Sequence, residues 1–245
     1  MRFSALLRGL VAAGTIALGA LALFEWATWP EVGALASRDP ETTAFIERWR
    51  ARELAAGRTG KVDWRPVPAS RISDELELAV LVAEDIEFFQ HDGFSVTELE
   101  SALRRAWSGR KAPRGASTIT QQLAKNLWLS PSRNPWRKAK EALLTRALED
   151  RLTKGRILEL YLNVAEFGPG VWGAEAAARR YFGRSAVALS QRQAAELAAG
   201  LSRPASWHPG ATSAGYRGAV ERTLGRMQRA AWLRTEIRAH PRAKP

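Results

Sequence analysis

Cysteine is absent from this chain, so no disulfide framework braces it and no thiolate site can hold a metal. That absence fits either redox compartment. Histidine is scarce: His91, His208 and His240 are widely separated, which argues against a multi-histidine metal site. Alternating apolar and polar runs, the signature of half-buried strands, are missing, as are internal repeats and low-complexity tracts. Acidic residues run short over one stretch. Residues 103–156 hold 14 Lys and Arg against 3 Asp and Glu, which places +11 of the net +12 there. Such a local excess implies an anionic partner (nucleic acid, anionic lipid headgroups or a phosphorylated substrate), unless it is simply a basic solvated face. At 245 residues the chain suffices for one well-cored domain with peripheral structure.

Long uncharged runs are equally few, and the one that stands out follows Arg2 and Arg8. Gly9 to Phe24 is sixteen residues without a charge. With Glu25-Trp26-Ala27-Thr28-Trp29 it reaches about 21 residues, the length a tilted helix needs to span hydrocarbon. Trp26 and Trp29 then form an interfacial belt. Positive charge on the N-terminal side puts Met1 inside and everything after Trp29 outside. The alternative is a cleavable signal peptide ending at Ala20-Leu21-Ala22. Both readings send the rest of the chain across the membrane, so no nucleic-acid partner is expected.

Residues 30–63 read as an arm containing one short helix, with breakers at Pro40, Gly57 and Gly60. Beyond Trp64 the pattern is helical. A helix is expected over 76–90, stopped by His91-Asp92-Gly93, and a second over 96–107. A loop at Pro113 and Gly115 leads into a third. Asn134-Pro135 caps a long helix to about Leu152, and Thr153 restarts another through Asn163. A turn at 167–170 precedes helices near 172–182 and 190–201. A last amphipathic helix is expected over 216–233.

What is abundant in one short place is the uncharged hydrogen-bonding side chain. Residues 115–126 read GASTITQQLAKN. Thr118 and Gln121 have capping-box spacing, which makes Thr118 a helix N-cap. Thr118, Gln122 and Lys125 then share one polar stripe beside the apolar stripe of Ile119, Leu123 and Leu127. A helix N-terminus with Lys125 two turns along suits an anion, with hydroxyl and amide donors for a polyol. The same segment also reads as a well-capped surface helix.

Glu84 and Asp85 interrupt a strongly apolar helix, Glu84 sharing a face with Phe88 and His91. A carboxylate among apolar neighbours has its pKa raised toward what a general base needs. The competing reading is the solvent edge of the helix. Glu141 follows Arg137 and Lys138 at helical spacing, for which exposed pairing is the default, and Arg133 lies in the loop before that helix.

Taken in order, these stretches resemble the peptidoglycan glycosyltransferases of glycosyltransferase family 51. EDIEFFQHDG (84–93) is similar to that family's E-D-x-x-F-x-x-H-x-G, and GASTITQQLAKN to G-x-S-T-x-T-Q-Q-x-x-K-N. RKAKE (137–141) matches R-K-x-x-E, and KGRILELYLN (154–163) matches K-x-x-I-L-E-x-Y-L-N. GPGVWGAEAAARRYFG (168–183) resembles the fifth block. The resemblance covers 64–209. Ser95 and Ala116 depart from it without touching a residue assigned to chemistry. The wording NVAEFGPGVWG, with no penicillin-binding domain following, points to the monofunctional form.

The resemblance implies a mostly α fold: a lysozyme-like helical catalytic domain over 64–210 with a small membrane-proximal jaw subdomain. Around it lie a cytoplasmic tail (1–8), one N-terminal transmembrane helix (9–29), the juxtamembrane arm (30–63) and a C-terminal basic amphipathic helix and tail (211–245). It implies a place in the bacterial inner membrane, single-pass, with the catalytic domain in the periplasm or outside. The implied substrate is lipid II, a polyprenyl-pyrophosphate-linked disaccharide pentapeptide, together with the growing glycan chain. Membrane lipid and proteins of cell-wall synthesis or division are the other expected partners. Glu84 becomes the general base, and Lys125 and Arg133, supported by Arg137 and Lys138, bind the pyrophosphate. Ser117, Thr118, Gln122 and Asn126 bind sugar and phosphate oxygens, with Asp85 beside them. Glu141 orients the cations or helps hold a divalent cation, Mg or Mn. Two other classes remain: a glycan-cleaving muramidase, which needs an acid for a poor leaving group, and a non-enzymatic membrane module that binds anionic polymer.

Overall fold

The computed structural model describes residues 2–95, 100, 117–132 and 134–240, including the side chains of all of these except 2–11, 17, 18 and 21. The helix expected over 96–107, the loop at Pro113 and Gly115, and Arg133 lie outside the described residues. The chain divides into two units, Met1–Glu31 and Val32–Pro245.

The first unit is one helix, α1 (Arg2–Ala27), which carries the uncharged run. Ile16, Leu23, Phe24 and Trp26 are exposed on it. Among the described residues no helix is long and apolar enough to cross a membrane. Residues 9–11, 17, 18 and 21 of the run are not among those whose side chains are described.

The second unit is mostly helical. A 3-10 turn (Val32–Ala36) leads to α2 (Ala44–Ala55), whose N-cap Thr43 accepts from the Ile46 N–H. The helix α3 (Asp74–Glu84) starts on the Ser73 cap with three acidic residues in its first turn, which suits the positive end of its dipole. Next come α4 (Ile119–Trp128), α5 (Pro135–Arg151) and α6 (Lys154–Val164), capped by Thr118, Asn134 and Thr153 as the spacing predicts. The chain closes with α7 (Ala174–Phe182), α8 (Gln191–Gly200), α9 (Ala214–Arg229) and α10 (Leu233–Ala239).

Two of these differ from the periodicity. The helix expected over 76–90 stops at Glu84, because Asp85 leaves the helical conformation (φ −163°, ψ 79°) and its side chain is drawn to partners outside the helix. Phe88–Gln90 is a separate 3-10 turn, so Glu84 does not share a helical face with Phe88 and His91. The final helix breaks at Ala230, and Leu233 and Ile237 on α10 are buried against α3.

Among the described residues three strands are present where none was expected. β1 (Asp63–Trp64) pairs in parallel with β3 (Val171–Trp172), which pairs antiparallel with β2 (Glu166–Gly168). At two or three residues each they are too short for alternation to register. Gly173, just after β3, has φ +83°, and a Cβ there would lie 2.6 Å from the Asn163 carbonyl oxygen. Only glycine fits where sheet turns into α7.

One continuous core runs from Val32 to Ile237. Within it α3 packs against α8, α9 and α10, while α4 packs against α2, α5 and α6. The last residue of α3, Glu84, reaches Gln122 on α4 and so joins the two groups. Polar groups on α6 tie the N-terminal segment down. Arg156 donates to the Leu35 and Arg38 carbonyls and pairs with Glu159 and Asp39. Asn163 accepts from the Val67 N–H and donates to its carbonyl. The fourth motif, residues 154–163, is thus a buried polar seam at i, i+3 and i+7, and much of its content is structural.

Candidate active site

Glu84 sits half-buried at the C-terminal end of α3. Burial pushes its carboxyl above the usual carboxylate range, against the Gln122 hydrogen bond and the Lys125 charge, with Asp85 adding a smaller upward push. Gln122 Nε2 donates to Glu84 Oε2 at 2.8 Å and to the Ser117 carbonyl at 3.2 Å. Because a carbonyl only accepts, the amide cannot be flipped. Its Oε1 therefore faces Tyr161, whose hydroxyl donates to it at 3.0 Å. Tyr161 is fully buried and its pKa is raised well above the usual value, first by burial and then by Glu84 and Asp85, so it remains a donor. The chain Tyr161 to Gln122 to Glu84 holds the carboxylate in one orientation while leaving it a free lone pair.

Asp85 turns the other way. Its carboxylate takes the Ile119 N–H at 3.0 Å and faces His91 Nε2 at 3.1 Å. His91 Nδ1 accepts from the Gly93 N–H, so Nε2 carries the ring proton and donates to Asp85. Thr118 forms the full capping box with Gln121 and also donates to the Gly93 carbonyl at 2.7 Å. The N-terminus of α4 is therefore filled from within, by Asp85 and Thr118. The anion received at this helix end is Asp85 itself.

That leaves the cations farther along as the groups open to a substrate anion. Lys125 is half-buried, three residues past Gln122 on the same side of α4 as Asn126. Burial lowers its pKa; Glu141 and Glu84 oppose that, while Arg137 and Lys138 reinforce it. Its ammonium lies 5.9 Å from the centre of the Phe45 ring on α2. Glu141 is buried on α5, with Arg137 Nη1 at 2.5 Å on one oxygen and Lys138 Nζ on the other. Arg137 Nε is buried yet has no acceptor among the described residues. An unpartnered donor beside two further cations is the arrangement an incoming oxyanion would satisfy.

Both oxygens of Glu141 are taken by cations, and no group of three His, Asp or Glu side chains placed to hold a metal ion occurs among the described residues. This donor set does not fit a resident divalent ion, so no step below passes through one. Of the sequence-derived residues, Glu84, Gln122, Lys125, Arg137, Lys138 and Glu141 are linked by hydrogen bonds or charge, Ser117 joins them through its carbonyl, and Asn126 follows Lys125 on α4. Asp85 and Thr118 belong to the scaffold that holds them. Tyr161 had no signal in spacing, because its partner lies 39 residues away.

A half-buried carboxylate near a cluster of cations is an arrangement suited to group transfer from an anionic donor. Residues 52–228 match the family described as Transglycosylase. A biosynthetic peptidoglycan transglycosylase of Thiobacillus denitrificans is 46% identical over 166 residues, covering 68% of this chain and 72% of its own. One from Bordetella avium is 44% identical over 192 residues (75% and 76%), and one from Alcanivorax borkumensis 43% over 209 residues (84% and 78%). The chain belongs to the transglycosylase family, in the form whose curated relatives are biosynthetic peptidoglycan transglycosylases.

Proposed function

We propose that this enzyme polymerises lipid II into β-1,4 glycan strands and releases polyprenyl pyrophosphate, as a monofunctional peptidoglycan glycosyltransferase. The observation that carries this is the Glu84 carboxylate held by Gln122, with Lys125 three residues farther along the same helix and the Arg137, Lys138 and Glu141 cluster on α5; burial raises the pKa of Glu84 and lowers that of Lys125.

Glu84 takes the proton from the acceptor sugar's 4-hydroxyl as that oxygen attacks the donor's anomeric carbon. The bond from that carbon to the diphosphate breaks, and its electron pair leaves on the diphosphate. A diphosphate is a weak base, so no general acid is required. Positive charge where the negative charge develops is what speeds the step. Lys125, Arg137 and Lys138 supply it, and Arg133 is assigned to the same role. Glu141 keeps Arg137 and Lys138 oriented. Ser117, Gln122 and Asn126 border the space for sugar and phosphate oxygens. A single displacement inverts the anomeric centre, from α-linked donor to β-linked strand.

Residues 9–29 serve as a single membrane anchor that leaves the catalytic unit outside, next to its lipid-borne substrate. The uncharged run and the exposed Ile16, Leu23, Phe24 and Trp26 support this. The lysozyme-like fold and jaw subdomain belong to the same proposal. The decisive experiment incubates the purified full-length protein with lipid II in detergent. Glycan polymer with release of polyprenyl pyrophosphate is expected; shortening of preformed strands without synthesis would favour a muramidase.

Tyr161→Phe separates orientation from mere packing. Without the hydroxyl, Gln122 loses one of the contacts that hold its amide, Glu84 is held less firmly by its donor, and its pKa rises further. The acid limb of the pH–rate profile should move to higher pH while the plateau stays within about tenfold of wild type. An equal loss of rate at every pH would remove Tyr161 from this role.

A further inference from the structure

Beside α2 lies a cleft of about 560 Å³, within the usual range of ligand sites, and neither Glu84 nor Lys125 is among the residues that line it. Its walls carry two indoles, Trp49 and Trp64, and three cations, Lys61, Arg65 and Arg180. The only acidic side chain lining it, Asp63, is tied to Arg65 at 3.2 Å. Neither Lys61 nor Arg180 has an ion-pair partner among the described residues. The floor is the turn at Pro169 and Gly170. Gly170 has φ +73°, and a Cβ on it would meet the Trp49 ring at 2.6 Å, so indole and turn are in direct contact. Trp64 is held from behind by its Nε1–H, which donates to the Asn163 carbonyl at 2.7 Å. Both rings are thus fixed in place rather than free to collapse into the cleft.

The cleft is coupled to the catalytic site by one helix. Phe45, beside the Lys125 ammonium, and Trp49, in the cleft wall, are four residues apart on α2. One helical turn, roughly 6 Å of rise, separates them. The same helix therefore borders both the cleft and the Lys125 ammonium.

Flat apolar rings suit the faces of N-acetylated sugars, and unpaired cations suit carboxylates. We infer that this cleft is a subsite for a carboxylate-bearing sugar peptide, the peptide-substituted disaccharide of the glycan, separate from the site where the bond is made. This rests on the proposed polymerase reading for the identity of the glycan. The sugar peptide has two sources, the strand already made or the incoming lipid-linked monomer.

The test uses full-length Glu84→Gln protein in detergent, so that binding is measured without turnover. Calorimetry compares lipid-free strand fragments carrying their peptides, the same fragments stripped of peptides, and lipid II. Peptide-bearing fragments are expected to bind about tenfold more tightly than stripped ones. Adding Lys61→Glu with Arg180→Glu, both on exposed side chains, should abolish that difference. Loss of fragment binding alone assigns the cleft to the strand, and loss of lipid II binding alone to the monomer. Unchanged affinities in the charge-reversed protein, or equal binding of stripped and peptide-bearing fragments, overturn the inference. Polymerisation by the protein with native Glu84 is assayed in parallel: failure there removes the polymerase reading, whereas activity with unchanged affinities removes the cleft alone.

Discussion

Glu84→Gln is expected to lower the rate of strand synthesis about 10²- to 10⁴-fold while leaving lipid II capture nearly intact. The amide keeps the shape and can still accept the Gln122 hydrogen bond, but it cannot take a proton. Since only the transition state needs the base, binding measured without turnover should change little. The substitution should also remove the acid limb of the pH–rate profile, which burial places above the usual carboxylate range. Near-wild-type synthesis by Glu84→Gln would refute the assignment.

The same substitution has a stability consequence of opposite sign. The folded pKa of Glu84 is raised, so the folded state holds its proton more firmly than the unfolded chain does. Its contribution to stability is full below the unfolded pKa and is lost as pH rises through the raised folded pKa. Gln does not titrate. Chemical unfolding should therefore find Glu84→Gln gaining on wild type across that window, so its inactivity would not be a folding defect.

Lys125→Ala is expected to cost about 10²- to 10³-fold in kcat, the scale of removing one fixed group that stabilises developing negative charge. Some loss of binding should accompany it, because the diphosphate is already anionic in the ground state. Burial lowers the pKa of Lys125, so the wild-type rate should fall on the alkaline side sooner than an ordinary lysine would allow, and the variant should lack that limb. Its fold should not suffer, since the charged ammonium is disfavoured by its surroundings. A maximal rate within about tenfold of wild type would show that Arg137 and Lys138 carry the leaving group without it.

Local signals were legible wherever backbone chemistry is local. The Thr118–Gln121 capping box, the Asn134-Pro135 start and the Thr153 restart stand where spacing put them, because a cap involves only neighbours three residues away. The stop at Glu84 was not legible. It depends on Asp85 being claimed by Ile119 and His91, and the first of these is 34 residues distant. The strands were invisible for a different reason: two or three residues give no period. Gln122 was readable as a polar group on the Lys125 face, but its role toward Glu84 came only with the hydrogen bond between α3 and α4.

By itself the sequence determined the helical class, the helix caps, the uncharged N-terminal run, the concentration of positive charge and the ordered motifs of the family. Each of these is written in neighbouring residues or in composition. Tertiary structure alone decided which polar groups are spent on the scaffold and which stay open. Asp85 and Thr118 hold the N-terminus of α4, while Glu84, Lys125 and the unpartnered Arg137 Nε remain available. Burial, which sets both the pKa of a carboxylate and the cost of an unpaired donor, is a property of what packs around a residue, and residues far along the chain do that packing.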